Sequence, residues 1–171
     1  MIYFYIEPEG VTIKRFKSGR EILSLQEPPL VLVSPDRQGK WRAIAAGKDV
    51  KTSQQKVSTG DFVCNPFLNR ELIVEEPDIA AQYVNYMIFH RILNPFTTLI
   101  RPQLILHPHI QPEKPLAPVE KHNLQQIGIL AGAREVYICE WPTMLTAQIM
   151  SELRPIPQNQ IKTNKPKSAV E

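Results

Sequence analysis

The chain has 171 residues, of which 43% are hydrophobic and 22% charged, with a net charge of +3. That suits one globular domain with its own core, or a small domain carrying a subdomain, and it does not argue for nucleic acid. Two cysteines far apart, Cys64 and Cys139, match no metal or redox spacing and are expected to be reduced core thiols in a cytosolic protein. The opening MIYFYIEPEG is short, lacks a basic start and is followed by acids, so it reads as a strand rather than a signal peptide. No apolar run approaches the length of a transmembrane helix.

In chain order, residues 2–6 form an apolar and aromatic strand, and Glu9-Gly10 turns it back. In residues 11–16, Val11, Ile13 and Arg15 share one face while Thr12, Lys14 and Phe16 take the other. Ser18-Gly19 is a second turn, residues 21–25 a third strand, and Glu27-Pro28-Pro29 an extended corner before a fourth at 30–34. Asp36 to Lys40 is a polar turn, 41–46 suits a strand, and 48–56 is helix or loop. Residues 71–74 suit one more strand. From Pro77-Asp78, apolar residues recur at helical spacing (Ile79/Ala80, Tyr83/Val84, Met87/Ile88, Ile92) until Asn94-Pro95 ends the helix. A strand at 103–107 follows, then a turn rich in proline. Pro118 opens a second helix whose inner face is expected to carry Val119, Leu124, Ile127 and Leu130/Ala131. Gly132 can close it in the left-handed conformation, residues 135–139 suit an interior strand, and Trp141-Pro142 opens a third helix over 143–153. From Arg154 onward the tail is nearly devoid of apolar residues and is expected to be disordered. Its cations Arg154, Lys162, Lys165 and Lys167 either touch acidic lipid or simply keep the chain soluble.

The string VEKHNLQQIGILAGAREV at 119–136, with YICEWP after it, resembles MreB, the bacterial actin homologue. Two further segments align in the same order: GREILSLQEPPLVLV at 19–33, with Gln26-Glu27-Pro28 in place of the family's Asn-Glu-Pro turn, and AAGKDVK at 45–51. The resemblance covers roughly residues 2–153 and is most specific at 119–142. It implies an α/β fold, an actin-like ATPase domain of the ribonuclease-H-like kind. Only a single half is expected, a mixed sheet flanked by helices. Residues 1–153 would form this domain I, with 35–75 as an inserted subdomain and 154–171 as the tail.

The resemblance also locates the chemistry. Members of the family bind ATP and Mg²⁺ through a Gly-rich turn in the first hairpin, beside an Asp that holds the metal through water. Here Glu7 stands for that Asp, Pro8 has no N–H to offer, and Glu9 adds a negative charge before Gly10. Carboxylates about 4–6 Å from phosphate oxygens repel them unless a metal intervenes. The acid that positions the attacking water is replaced by Trp141, whose indole can neither orient nor deprotonate water, and Glu140 next door should point elsewhere. The family's second phosphate loop belongs to a second domain. The expectation is therefore a chain that is not an enzyme and binds neither ATP nor Mg²⁺.

Other constellations carry weaker signals. His107 and His109 have an i, i+2 spacing that suits a metal, but no third ligand follows and Pro108 interrupts the strand. They read as surface or loop histidines, and His90 as a partly buried core residue. Glu75-Glu76 sits where a helix dipole favours acids. Cys139 has no motif that would make it a nucleophile. In the family, the loop matching NPFTTLIRP contacts membrane. Phe96, Leu99 and Ile100 would then enter the bilayer interface while Arg91 and Arg101 meet lipid phosphate, unless the loop folds back to plug the core.

Together these readings suggest a non-catalytic, MreB-like cytoskeletal or scaffold protein linked to bacterial cell shape. Its partners would be full-length MreB or a second copy, other envelope-machinery proteins and an anionic membrane surface, on the cytoplasmic side at the inner face of the membrane. Two alternatives stand beside it. One is an actin-like adaptor of a pilus or secretion machine that binds a partner peptide; the other is an ATPase half completed by another chain.

Overall fold

The structure, a computed structural model, describes residues 1–53, 58–67, 74, 76–93, 101–110 and 114–145. β1 (Ile2–Ile6) is apolar and buried at all five positions, as a strand covered on both faces must be. It pairs antiparallel with β2 (Val11–Lys17), which pairs antiparallel with β3 (Arg20–Glu27). Ser18 and Gly19 both take positive φ, 51° and 75°, the conformation a two-residue hairpin demands.

After Pro28-Pro29 the chain leaves this sheet. β4 (Val31–Pro35) pairs with β5 (Trp41–Ala46) and with β6 (Phe62–Cys64), forming a second sheet of order β5-β4-β6. The fourth strand therefore does not extend the meander, and β6 is a strand that the sequence pattern does not announce. Val31, Val33 and Ala46 face the main core. Leu32 and Ala45 face the other way, against Val50 of the short helix α1 (Asp49–Ser53).

α2 (Pro77–Tyr86) buries Ile79, Ala80, Tyr83 and Val84, and the chain continues as a π-helix over Met87–Ile92. β7 (Gln103–Pro108) then pairs parallel with β1. α3 (Pro118–Leu130) crosses over, and β8 (Glu135–Ile138) pairs parallel with β7. The main sheet has the order β3-β2-β1-β7-β8. Ile2, Phe4 and Ile6 of β1 meet α2 and α3 in the large core, whereas Tyr3, Tyr5, Phe16 and Ile105 point to the opposite face.

α3 ends as Gly132 allows. With φ of 91° it donates its N–H to Ile129, while Ala133 donates to Gly128, the paired bonds of a Schellman motif. Gly128 lets the helix lie against β8, because a Cβ there would come within 2.4 Å of Val136 Cγ2. Leu124, Ile127 and Ala131 face inward as expected. Val119 and Leu130 do not: they are 50% and 51% exposed, while their neighbours Glu120 and Ala131 are buried, so the inward face runs through 120, 124, 127 and 131. His90 is also exposed rather than in the core, stacked on Tyr86 at 4.4 Å. The third helix does not begin at Pro142: residues 142–145 are not helical, and 146–153 with the tail 154–171 lie outside the described residues. Of the strand expected at 71–74, only Val74 is described.

One buried charge ties the two sheets together. Glu27, at the end of β3, is 3% exposed. Its Oε2 accepts the N–H of Lys48 at 2.9 Å, and its Oε1 accepts Arg91 Nη2 at 2.9 Å. Arg91 also reaches Asp49 Oδ1 at 3.1 Å, and Tyr86 donates to Asp49 Oδ2. Gly47, at φ of 62°, makes room for this: a Cβ would sit 2.6 Å from Glu27 Oε2 and 2.5 Å from Met87 Cε. Removing one partner of such a pair strands the other charge in a poorly solvated site. Arg91→Met should therefore cost about 3 kcal/mol in urea unfolding, the low end of the usual range because Arg91 is partly exposed. The double variant Glu27→Gln/Arg91→Met should recover part of that loss; equal stability of wild type and Arg91→Met would refute the role given to the pair.

Candidate functional site

In open α/β sheets, ligands bind beyond the carboxyl ends of the parallel strands. Here the ends of β1, β7 and β8 come together on one edge. His109 donates its backbone N–H to Ile6 O at 2.7 Å, and Cys139 donates to Leu106 O at 2.9 Å. Glu7 therefore follows β1, His109 follows β7, and Glu140-Trp141 follows β8, all at the same edge, with the β1–β2 hairpin beside them.

The hairpin closes on itself. Glu7 N–H bonds Gly10 O at 2.9 Å and Gly10 N–H bonds Glu7 O at 3.3 Å. Pro8 has no N–H, so the turn offers a ligand at most the N–H of Glu9. Gly10 does not have positive φ, and a Cβ there would meet nothing within 4 Å, so no close approach of backbone requires a glycine. The Pro8 carbonyl accepts Asn65 Nδ2 at 2.9 Å, which stitches the exit of β6 to the hairpin. Glu7 and Glu9 add two carboxylates to the turn, beside that one unbonded N–H.

The far side of the edge is equally committed. The Glu140 carboxylate takes Lys121 Nζ of α3 at 2.8 Å. The Trp141 side chain is 52% exposed, and its carbonyl accepts His107 Nε2–H at 2.6 Å. Because a carbonyl can only accept, Nε2 carries the proton, and Nδ1 of the neutral ring accepts Tyr3 O–H at 2.7 Å. The same Tyr3 oxygen accepts the N–H of Leu145 at 3.1 Å. Beside it, the Tyr5 hydroxyl lies 2.8 Å from His109 Nδ1. Burial, and then the charge of Glu7, hold the Tyr5 hydroxyl above its usual pKa.

His107 is accordingly not the surface or loop histidine expected from the sequence, whereas His109, beyond the end of β7, is exposed. His107 is fully buried, with both ring nitrogens bonded, and among the described residues no group of three His, Cys, Asp or Glu side chains can hold a metal ion. Strand alternation carried the signal: Ile105 and His107 share a face of β7, the face on which Tyr3 and Tyr5 lie. Arg91 is not available for lipid phosphate, since Glu27 and Asp49 hold it. Arg101 is exposed. Phe96, Leu99, Ile100 and Glu75 lie outside the described residues, and Glu76 caps α2 without a side-chain bond. Among the described residues no helix is long and apolar enough to cross a membrane.

An antiparallel meander continued by two parallel strands in the order β3-β2-β1-β7-β8, with helices on it, is the plan of an actin-like α/β domain, here a single half. A solved structure similar to it is MreB5 of Spiroplasma citri bound to ADP, with a TM-score of 0.51 and 18% identity over 81% of this chain and 38% of that one. MreB5 of the same organism bound to AMPPNP gives a TM-score of 0.48 and 16% identity over the same shares. The chain thus spans 38% of the length of these neighbours. No protein-family model matches it, and no curated protein does so significantly.

Cys139 bears directly on reactivity at this edge. Burial pushes its thiol up to about 11, outweighing the N–H of Trp141 that favours the thiolate. Native Cys139 should therefore alkylate on the order of a hundredfold more slowly than the unfolded chain at about pH 8. Peptide mass spectrometry after timed iodoacetamide labelling reads this directly, and equal rates in the two states would contradict it.

Proposed function

We propose that this chain is a non-catalytic, actin-like scaffold protein of the MreB kind, working in bacterial cell-shape maintenance at the inner face of the cytoplasmic membrane. Its partners are full-length MreB or a second copy of itself, with other envelope-machinery proteins around them. The observation that carries this reading is the self-closed acidic hairpin Glu7–Gly10, which keeps the actin-like position of a phosphate loop without its donors. Trp141, at the position of the water-positioning acid, supports the same reading by placing an indole where a base is needed. Glu140 belongs to Lys121 and does not substitute for it.

Isothermal titration with Mg-ATP should give no binding heat, and Trp141→Glu should not produce hydrolysis, since the hairpin would be unchanged. Micromolar affinity for Mg-ATP would overturn the non-catalytic half of the proposal. The partner half is read separately, by co-sedimentation with filaments of full-length MreB, where a chain left wholly in the supernatant would count against it.

A further inference from the structure

Residues 141–145 hold to the body of the protein in an unusual way. Residues 141–144 are exposed, and only Leu145 is buried, against Tyr3, Tyr5, Phe16 and Ile105. Besides that one side chain and the Trp141 N–H on the Cys139 thiol, one side-chain pair grips the segment at both ends. The Trp141 carbonyl receives His107 Nε2–H, and the Leu145 N–H is received by Tyr3 Oη, whose own proton goes to His107 Nδ1. We propose that Tyr3 and His107 form an acid-released clasp, which holds residues 141–145 over the outer face of the sheet and opens when the imidazole takes up a proton.

The chemistry follows from these three bonds. A doubly protonated ring has two N–H donors and no acceptor. Its new Nδ1–H must point at Tyr3 Oη, where the Leu145 N–H already points, and the tyrosine proton is left to find an acceptor among apolar groups. A cation and an orphaned hydroxyl would then share a site without water, and each is costly there. Letting the segment go hydrates both.

The surroundings offer the cation no rescue. From β1 the ring meets Tyr3 and Tyr5, the latter edge-on at 4.9 Å. From beyond β7 comes His109, which disfavours a second positive charge; beyond β8, Cys139 lies near Tyr3 and Glu140 is paired with Lys121. β2 places Lys14 opposite Tyr3, and Glu21 holds it. The segment itself carries no titratable side chain. Burial holds the folded His107 below the ordinary imidazole pKa, while in the opened state it regains that value. The clasp is therefore fully favoured above about pH 6.5 and weakens as the pH falls below it.

Hydrogen exchange of the full chain, corrected for the intrinsic pH dependence, tests this between about pH 7.5 and about pH 5.5. Protection of the Leu145 amide should fall about tenfold across that window, while the amides of β4 and β5 stay protected. His107→Gln keeps one donor and one acceptor but does not titrate, so its protection should not change with pH. His109→Gln should behave as wild type. Should His107→Gln fail to fold, Tyr3→Phe takes its place and should show low Leu145 protection at both pH values. The clasp is overturned if wild-type protection is independent of pH, if β4 and β5 lose protection together with Leu145, or if either variant of the pair keeps the wild-type pH response.

Discussion

The carboxylate of Glu27 is the constraint on which the arrangement of both sheets rests. It stands where β3 of the main sheet gives way to β4 of the second, and it is satisfied from two directions. One is the backbone of Lys48, in the turn between β5 and α1. The other is Arg91, in the π-helical stretch behind α2. A buried carboxylate costs several kcal/mol unless its partners are held in good geometry, so each of these elements has little freedom to move alone. Gly47 must lack a side chain for Glu27 to fit, and the widened helix must present Arg91 on the side facing it. π-helical turns are costly and persist where a specific contact needs them. Here that contact is visible.

The carboxyl edge of the main sheet presents a different balance. Its position is that of a ligand site in open α/β folds, yet its polar groups are turned inward on each other. Glu7 bonds Gly10, Pro8 accepts from Asn65, Glu140 pairs with Lys121, and Trp141 is held by His107. What remains outward is acidic at the hairpin and aromatic at Trp141.

Much of this was legible in the sequence, and what was not has identifiable causes. The meander, its Ser18-Gly19 turn, α2, α3 with its Gly132 stop, β7 and β8 all follow from local chemistry: period, proline and glycine. The departure of β4 from the main sheet was hidden because Val31–Val33 suit either sheet, and its partners β5 and β6 lie later in the chain. The π-helix was hidden because Met87, Ile88 and Ile92 are spaced acceptably for either helix. At the site, the turn at Glu7–Gly10 was readable residue by residue, but His107 was misread, since its partners Tyr3 and Trp141 are 104 and 34 positions away. Two of the segments that resemble MreB, around Glu27 and around Gly47, touch each other through one carboxylate oxygen, a contact that no local pattern contains.

The place of β1 has a consequence for how the chain assembles. β1 is the middle strand of the main sheet, antiparallel to its sequence neighbour on one side and parallel on the other to β7, whose partner residues lie about a hundred positions later. A parallel pairing of that span must first close a long loop, so it forms late. While the chain emerges from the ribosome, the β1–β3 hairpins can form at once, but their inner edge stays open until β7 has been made. During that interval five consecutive apolar residues, Ile2–Ile6, present an unpaired strand edge. The early part of this protein is therefore most exposed to wrong pairing, and to chaperone capture, while it is still attached to the machinery that makes it.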